Sequence, residues 1–184
     1  MLFVFSAPSG SGKTTVVRGI LKLHPEFMFS VSATTRDKRK TETDGKDYVF
    51  FSRKEFLDKI NKNDFIEYEL IYDNNYYGTL KSAVDSCLKQ NKHMVFDIDV
   101  NGSLSIKKLY GDKAVLIFVN PPDKESVRKR LKNRVSETPE TLEKRMKRFD
   151  FEMDKKEEFD YVVNNEEISK AVSESNKIIL KYLT

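Results

Sequence analysis

The chain has 184 residues and carries 33 Lys and Arg against 29 Asp and Glu, a formal net charge of +4, with 39% hydrophobic and 34% charged residues. That balance suits one ordinary domain with a substantial core under a highly charged surface. No apolar run approaches the roughly 18 residues of a membrane span, the opening MLFVF is too short for a signal-peptide core, and a single cysteine, Cys87, excludes an intramolecular disulfide and fits the cytoplasm.

There is no internal repeat and no low-complexity linker. The run LFVF, Leu2 to Phe5, reads as a buried parallel strand ending at a glycine-rich turn. Lys13 to Leu23 carries an apolar stripe at Val16, Val17, Ile20 and Leu21 and stops before Pro25, so it reads as a helix. Phe27–Val31 and Tyr48–Phe51 read as strands. Ser52 and Glu55 have capping-box spacing ahead of a helix through Phe56, Leu57 and Ile60. Phe65–Tyr72 is strand-like, followed by the polar turn DNN. This strand-rich middle section is expected to be a small lobe inserted between core elements.

Alternation of helix and strand then resumes. Thr79–Gln90 reads as a helix, His93–Asp99 as a buried strand ending in carboxylates, Ser103–Leu109 as a helix, and Ala114–Val119 as a buried strand stopped by Pro121 and Pro122. Two basic helices follow, Lys124–Lys132 and Pro139–Lys155, the second with Thr138 as N-cap. Tyr161–Val163 is a short strand and Glu167–Tyr182 a closing helix. The expected fold is α/β, an open parallel sheet covered by helices on both faces.

The segment APSGSGKT between the first strand and the first helix has the spacing of a phosphate-binding loop. Amides of Ser9 to Lys13 point inward as a nest, with a helix N-terminus behind them. Lys13 sets its ammonium against the β and γ phosphates, and the Thr14 hydroxyl ligates Mg²⁺. Ala7 stands where the strict pattern has glycine. The strand end at Asp97, in FDID, supplies a second metal ligand, a carboxylate holding Mg²⁺ through water. No N-K-x-D sequence occurs, so the guanine-reading motif of regulatory GTPases is missing. A nucleotide or metabolite kinase is the strongest reading.

The acceptor is read from SVSATTRDKR. Two arginines three apart, Arg36 and Arg39, offer guanidinium forks to a phosphate, and Tyr48 and Tyr77 add phenolic donors. Together they suggest a nucleoside monophosphate. The basic clusters RDKRK, RKRLKNR and KRMKR are interleaved with acidic residues, and nothing among them resembles a nucleic-acid-binding motif.

The segments SAPSGSGKTT, FSVSATTRDKR, DGKDYVFF, FIEYE, NYYGT, FDIDVNG, IFVNPP, RLKNRVSET and YVVNN occur in the order of the guanylate kinase family, and nearly the whole chain resembles it. The resemblance implies a single domain with the P-loop NTPase three-layer fold: a parallel core sheet (1–31, 81–121 and 156–184), an inserted mixed α/β GMP-binding lobe (32–80) and a helical lid (122–155). It implies transfer of the γ-phosphoryl group of MgATP to GMP, with Mg²⁺ as cofactor, ATP and GMP as partners, and neither nucleic acid nor membrane; monomer and homodimer are both compatible. Arg36, Arg39, Tyr48 and Tyr77 would grip the GMP phosphate, while Ser32, Glu67, Thr79 and Asp99 would line the guanine pocket. Ala7, Pro8, Ser9, Gly10, Ser11, Gly12, Lys13, Thr14 and Thr15 would hold ATP, with Asn164 at the adenine and Thr14 and Asp97 at the metal. Lys13, Arg36 and the lid arginines Arg130, Arg134 and Arg145 would stabilise the transferring group as the lid closes on both nucleotides.

Chemistry supports the guanine assignment independently. The Watson–Crick edge of guanine presents N1–H and N2–H₂ donors that one carboxylate accepts together, whereas adenine offers an acceptor at N1. The chain departs from the family pattern at Val135, where glycine is usual, at Asn101, where glutamine is common, and at Asn165, where aspartate often follows the asparagine. The stretch from Glu67 to NYYG is one residue longer than usual. Two rivals remain: a non-catalytic guanylate-kinase-like module that holds phosphopeptides, disfavoured by the intact Lys13, Thr14 and Asp97, and a P-loop kinase for a different acceptor.

Overall fold

The computed structural model describes residues 1–71, 74–132 and 139–183. Its elements in chain order are β1 (Leu2–Ser6), α1 (Lys13–Leu23), β2 (Met28–Phe29), β3 (Ala33–Thr34), β4 (Val49–Phe50), α2 (Arg53–Asn61), β5 (Phe65–Ile71), β6 (Asn75–Leu80) and α3 (Lys81–Lys89). They continue as β7 (Met94–Asp97), α4 (Val100–Tyr110), β8 (Ala114–Asn120), α5 (Lys124–Lys132), α6 (Pro139–Asp154), β9 (Tyr161–Asn164) and α7 (Ile168–Leu180).

A five-stranded sheet in the order β2-β7-β1-β8-β9 is parallel throughout. Its central strands are apolar on both faces because both faces are covered. Phe3 and Phe5 of β1 pack with Val16, Val17 and Ile20 of α1 and Ile178 and Ile179 of α7. Leu2 and Val4 point the other way, onto Val84 and Cys87 of α3 and Val100 and Ile106 of α4. The period-2 alternation of a strand thus feeds two separate cores, giving three layers. The α/β fold expected from the sequence is the one observed. Among the described residues no helix is long and apolar enough to cross a membrane.

A second, mixed sheet runs β4-β3-β6-β5 and stands on its own small core of Ala33, Phe56 and Phe65. Helix α2 closes that core, and its start carries the expected capping box: Glu55 N–H donates to Ser52 Oγ at 3.2 Å and Ser52 N–H donates to Glu55 Oε2 at 2.8 Å.

The structure corrects several boundaries. Thr79 and Leu80 are strand, not helix: β6 pairs antiparallel with β5 through Glu67↔Thr79 and Phe65↔Leu80, and α3 begins only at Lys81. Cross-strand pairing overrides the helical reading of local residues. The strand expected at Phe27–Val31 shrinks to Met28–Phe29 and joins the core sheet beside β7. The strand at His93–Asp99 ends at Asp97, and Asp99 instead caps α4, accepting from Gly102 N–H at 3.0 Å. Tyr72, Asp73, Thr138, Arg134 and Val135 lie outside the described residues.

Candidate active site

The loop after β1 leaves the sheet at its carboxyl edge, where ligands of open α/β sheets bind. Ala7 is 4% exposed and packs in the core formed with α1 and α7, at the inner edge of the loop. Ser11 N–H closes a turn on Pro8 O at 3.1 Å, and Gly12, at φ +89°, delivers the chain into α1. Glycine is required at position 12 for a second reason. Asn165 passes so close that a Cβ there would lie 2.6 Å from Asn165 Nδ2. That amide donates to Ser11 O at 2.6 Å, while Asn165 N–H donates to Asn120 O at 2.8 Å. Asn164, the residue expected near the adenine, accepts from Asn120 Nδ2 at 2.8 Å. It is Asn165 that reaches the loop.

Lys13 and Thr14 open α1 and converge on the end of β7. Lys13 Nζ lies 2.6 Å from Asp97 Oδ1 and donates to Ile98 O at 2.6 Å, and Thr14 Oγ1 donates to Asp97 Oδ2 at 2.6 Å. Burial alone would raise the Asp97 carboxyl, but the Lys13 ammonium and the Thr14 hydroxyl hold it below the usual carboxylate range.

Two clefts meet at this junction. One, of about 340 Å³, is lined by the loop from Ala7 to Thr15 with Asp97, Asp99, Arg145, Arg148 and Glu152. The other, of about 180 Å³, is lined by Ser32, Tyr48, Glu67, Glu69, Tyr77 and Gly78 with Lys13, Asp97, Ile98 and Asp99. Lys13, Asp97 and Asp99 face both. Glu67 is desolvated at the base of the second cleft; burial, helped by the neighbouring Asp99 and Glu69 charges, pushes its carboxyl up to about 7. Thr79, buried, sits in register opposite it. Helix α4 comes close enough that a Cβ on Gly102 would stand 3.2 Å from Glu67 Cδ.

At the mouth of the second cleft, Arg36 lies over the Tyr48 ring at 5.3 Å, and Tyr48 meets Tyr77 edge-on at 6.0 Å. Glu42 holds this group in place: Oε1 accepts from Arg36 Nη2 at 2.7 Å and Oε2 from the Arg39 backbone N–H at 2.9 Å. The Arg39 side chain is exposed.

Helices α5 and α6 pack on each other through Val127, Leu131, Leu142, Met146 and Phe149 and roof the first cleft. Leu131 is so close to Gly10 that a Cβ there would be 3.0 Å from its Cγ, and Arg130 Nη1 reaches to 3.7 Å from the Cβ position of Gly12. Arg145 Nη1 donates to Ser9 Oγ at 2.7 Å.

Comparison with known proteins decides the family. A family model described as guanylate kinase matches residues 1–182. The chain belongs to the guanylate kinase family. Curated guanylate kinases from Bacteroides thetaiotaomicron, Chlorobaculum tepidum and Salinibacter ruber are 42%, 43% and 42% identical to it, over 99%, 99% and 100% of this chain and 89%, 93% and 97% of theirs. The crystal structure of guanylate kinase from Anaplasma phagocytophilum superposes with a TM-score of 0.79 at 28% identity, covering 99% of this chain and 85% of that one. With the family comes the class: a nucleotide-binding enzyme, a kinase.

Seen as a guanylate-kinase-family site, most residues expected from the sequence come together. Lys13, Thr14, Asp97 and Asp99 lie at the junction, Ser32, Tyr48, Glu67 and Tyr77 line one cleft, and Arg145 faces the other. Sequence reasoning passed over Glu42, Arg148 and Glu152, and met Asn165 only as a departure from the family pattern. The signals were slight: an acid three residues after Arg39, and a second arginine one helical turn beyond Arg145.

Proposed function

We infer that the chain transfers the γ-phosphoryl group of MgATP to GMP, giving ADP and GDP. The observation that carries this reading is the meeting of a loop-lined cleft and a carboxylate-lined cleft at Lys13, Asp97 and Asp99. A phosphoryl donor in the first and a nucleotide phosphate in the second would face each other across that junction, so little remains for the protein beyond positioning and charge stabilisation.

In this reading residues 7–15 cradle the ATP phosphates with backbone amides, and Lys13 exchanges Asp97 for phosphate oxygens. Arg36, Arg39, Tyr48 and Tyr77 hold the GMP phosphate, with Glu42 orienting Arg36. Ser32, Glu67, Thr79 and Asp99 take the guanine, Glu67 accepting from N1–H and N2–H₂. A GMP phosphate oxygen attacks the γ-phosphorus, the bond to the β–γ bridging oxygen breaks, and ADP leaves with that electron pair. Arg130 and Arg145 neutralise charge on the group in transit; Arg134 keeps the same assignment on sequence grounds. Asn164 is kept for the adenine side, now with Asn165 securing the loop. The α5–α6 arm is the lid, residues 32–80 the acceptor lobe, and the remainder the core. The buried cysteine and the absence of any membrane-length helix among the described residues suit the cytoplasm.

The oxygen set fits magnesium. Thr14 Oγ1 and the Asp97 carboxylate are hard donors already within 2.6 Å of each other, and Mg²⁺ binds through one or two such groups plus phosphates and waters. Thr14 and Asp97 would hold the ion, which would supply charge neutralisation to the donor phosphates.

The test is a coupled ADP-release assay with MgATP and GMP, AMP, CMP or UMP offered separately, with Glu67→Gln alongside. Turnover with GMP alone, weakened in Glu67→Gln, is the expected result. Turnover with another monophosphate reassigns the acceptor, and none with any monophosphate despite GMP binding favours the non-catalytic module.

A further inference from the structure

Arg148 lies on α6, one turn beyond Arg145, and lines the first cleft with it, but its bonding partner Glu69 lines the second. Arg145 bonds to Ser9 of the phosphate loop. Arg148 Nη2 donates to Glu69 Oε2 of β5 at 2.8 Å and stands 3.8 Å from Asp99 Oδ2, while its Nε donates to Glu152 Oε1 at 2.9 Å. The spacing of three residues puts both guanidinium groups on one face of the helix.

The charges around Arg148 define its task. Glu67, Glu69 and Asp99 line the second cleft, with Glu152 beside them in the first, and Lys13 is a further cation acting on Asp99 and Glu152. Unneutralised, such a cluster repels the acceptor and drives its own members to take up protons. Glu69 stays ionised despite burial because Arg148 and Asn101 donate to it, the latter from Nδ2 at 2.9 Å. Glu152, 4% exposed, fixes the other edge of the guanidinium. The ion pair also joins three parts of the molecule, since Arg148 comes from the arm, Glu69 from the second sheet and Asp99 from the core.

We propose that Arg148 is a positioning residue that docks the α5–α6 arm onto the acceptor pocket and holds Glu69 and Asp99 in the arrangement that admits the guanine nucleotide. The proposal rests on the GMP reading above. Although Arg148 borders the first cleft, it acts through Glu69 and Asp99, which line the second. It also explains why Glu69, which no guanine contact requires, stands inside the cleft: it is the anchor on the lobe for the arm.

The experiment pairs Arg148→Met, which keeps a long apolar stem, with Arg148→Lys, Glu69→Gln and the double variant Arg148→Met/Glu69→Gln. Steady-state KM values for GMP and ATP and calorimetric Kd for GMP are measured on each, after thermal melts establish that each is folded. Arg148→Met should raise KM and Kd for GMP about tenfold, the scale of one charge-assisted hydrogen bond, while KM for ATP stays within about twofold. Arg148→Lys should recover part of the loss, and Glu69→Gln added to Arg148→Met should cost little more, because both remove one contact. Unchanged GMP constants, equal rises for ATP and GMP, or fully additive losses in the double variant would overturn the proposal while leaving the GMP reading intact. A wild-type protein that neither binds nor phosphorylates GMP overturns that reading instead, and the assignment of Arg148 with it.

Discussion

Lys13 and Asp97 hold each other at 2.6 Å across the gap between the phosphate loop and the end of β7. The pair keeps the lysine beside both clefts, at the point where they join. In the proposed reading, Lys13→Ala removes the cation from the place where charge would move during transfer. Turnover should fall about 10³-fold or more, on the scale of losing one preorganised charge-stabilising group. The fold should persist, because the two cores flanking the sheet are built without Lys13. Circular dichroism and the coupled assay on the same preparation check both halves. Wild-type turnover in a folded Lys13→Ala protein would remove the loop from its assigned role.

Asp97 also sets a lower pH limit. Its folded-state pKa is depressed by Lys13 and Thr14 against the opposing effect of burial, so its stabilisation is present above the ordinary carboxylate range and lost as pH falls through the folded value. Acid titration should show Asp97→Asn losing less stability than wild type between neutral pH and about pH 3. Parallel losses in the two proteins would show that the pair contributes nothing to folding.

Glu67 behaves in the opposite sense. With its carboxyl pushed up to about 7, the folded protein prefers it protonated. Its contribution to stability is full below the unfolded carboxylate value and is lost as pH rises through 7. In the proposed reading Glu67 accepts from guanine in its ionised form, so affinity for GMP should climb as pH rises towards 7 and level off above it. The GMP phosphate ionises in a similar range, and Glu67→Gln separates the two effects, since it keeps the ligand titration and abolishes the protein one. If wild type and Glu67→Gln show the same pH profile for GMP affinity, Glu67 does not read the base.

Much of the core was legible because its signals are local. The apolar stripe of α1, the Ser52 and Glu55 pair and the all-apolar run of β8 each declare an element within a dozen residues. The second sheet was harder. β3 and β4 are two-residue strands that exist only because β6 lies beside β3, and Thr79 and Leu80 read as helix until β5 pairs with them. The loop, Asp97 and the Arg36–Tyr48–Tyr77 group came from spacing and chemistry. Asn165 and Arg148 did not, since their partners lie 154 and 79 residues away and only the folded chain brings them together. Glu42 sits near its partners in sequence, but nothing in its residue type distinguishes an orienting acid from a solvated one.

Asn165 gives a prediction of its own. Its buried amide donates to Ser11 O, and no side chain lacking that N–H can satisfy the carbonyl from the same position. Asn165→Ala should cost about 1–3 kcal/mol, the penalty for stranding a buried acceptor, or roughly 5 °C in melting temperature for a chain of this size. Because the carbonyl belongs to the phosphate loop, KM for ATP should rise severalfold with KM for GMP nearly unchanged. A stability loss with both KM values at wild-type levels would make Asn165 a strut of the fold with no bearing on the loop.

Gly102 offers the sharpest separation of stability from function. It sits in the first turn of α4, where alanine is the better helix former by up to about 1 kcal/mol, so Gly102→Ala should melt no lower than wild type on helical grounds. The added methyl would stand 3.2 Å from Glu67 Cδ and 3.3 Å from its Cγ and Oε2, tighter than ordinary van der Waals contact, and Glu67 must give by a few tenths of an ångström. A carboxylate displaced from the guanine edge loses paired hydrogen bonds, and KM for GMP should rise about tenfold, while KM for ATP and the melting temperature hold. Thermal melts and two-substrate kinetics on this one variant measure all three. A folded Gly102→Ala protein with wild-type GMP affinity would show that the Glu67 carboxylate is not held against the base by this helix, and the guanine pocket would have to be drawn around other residues.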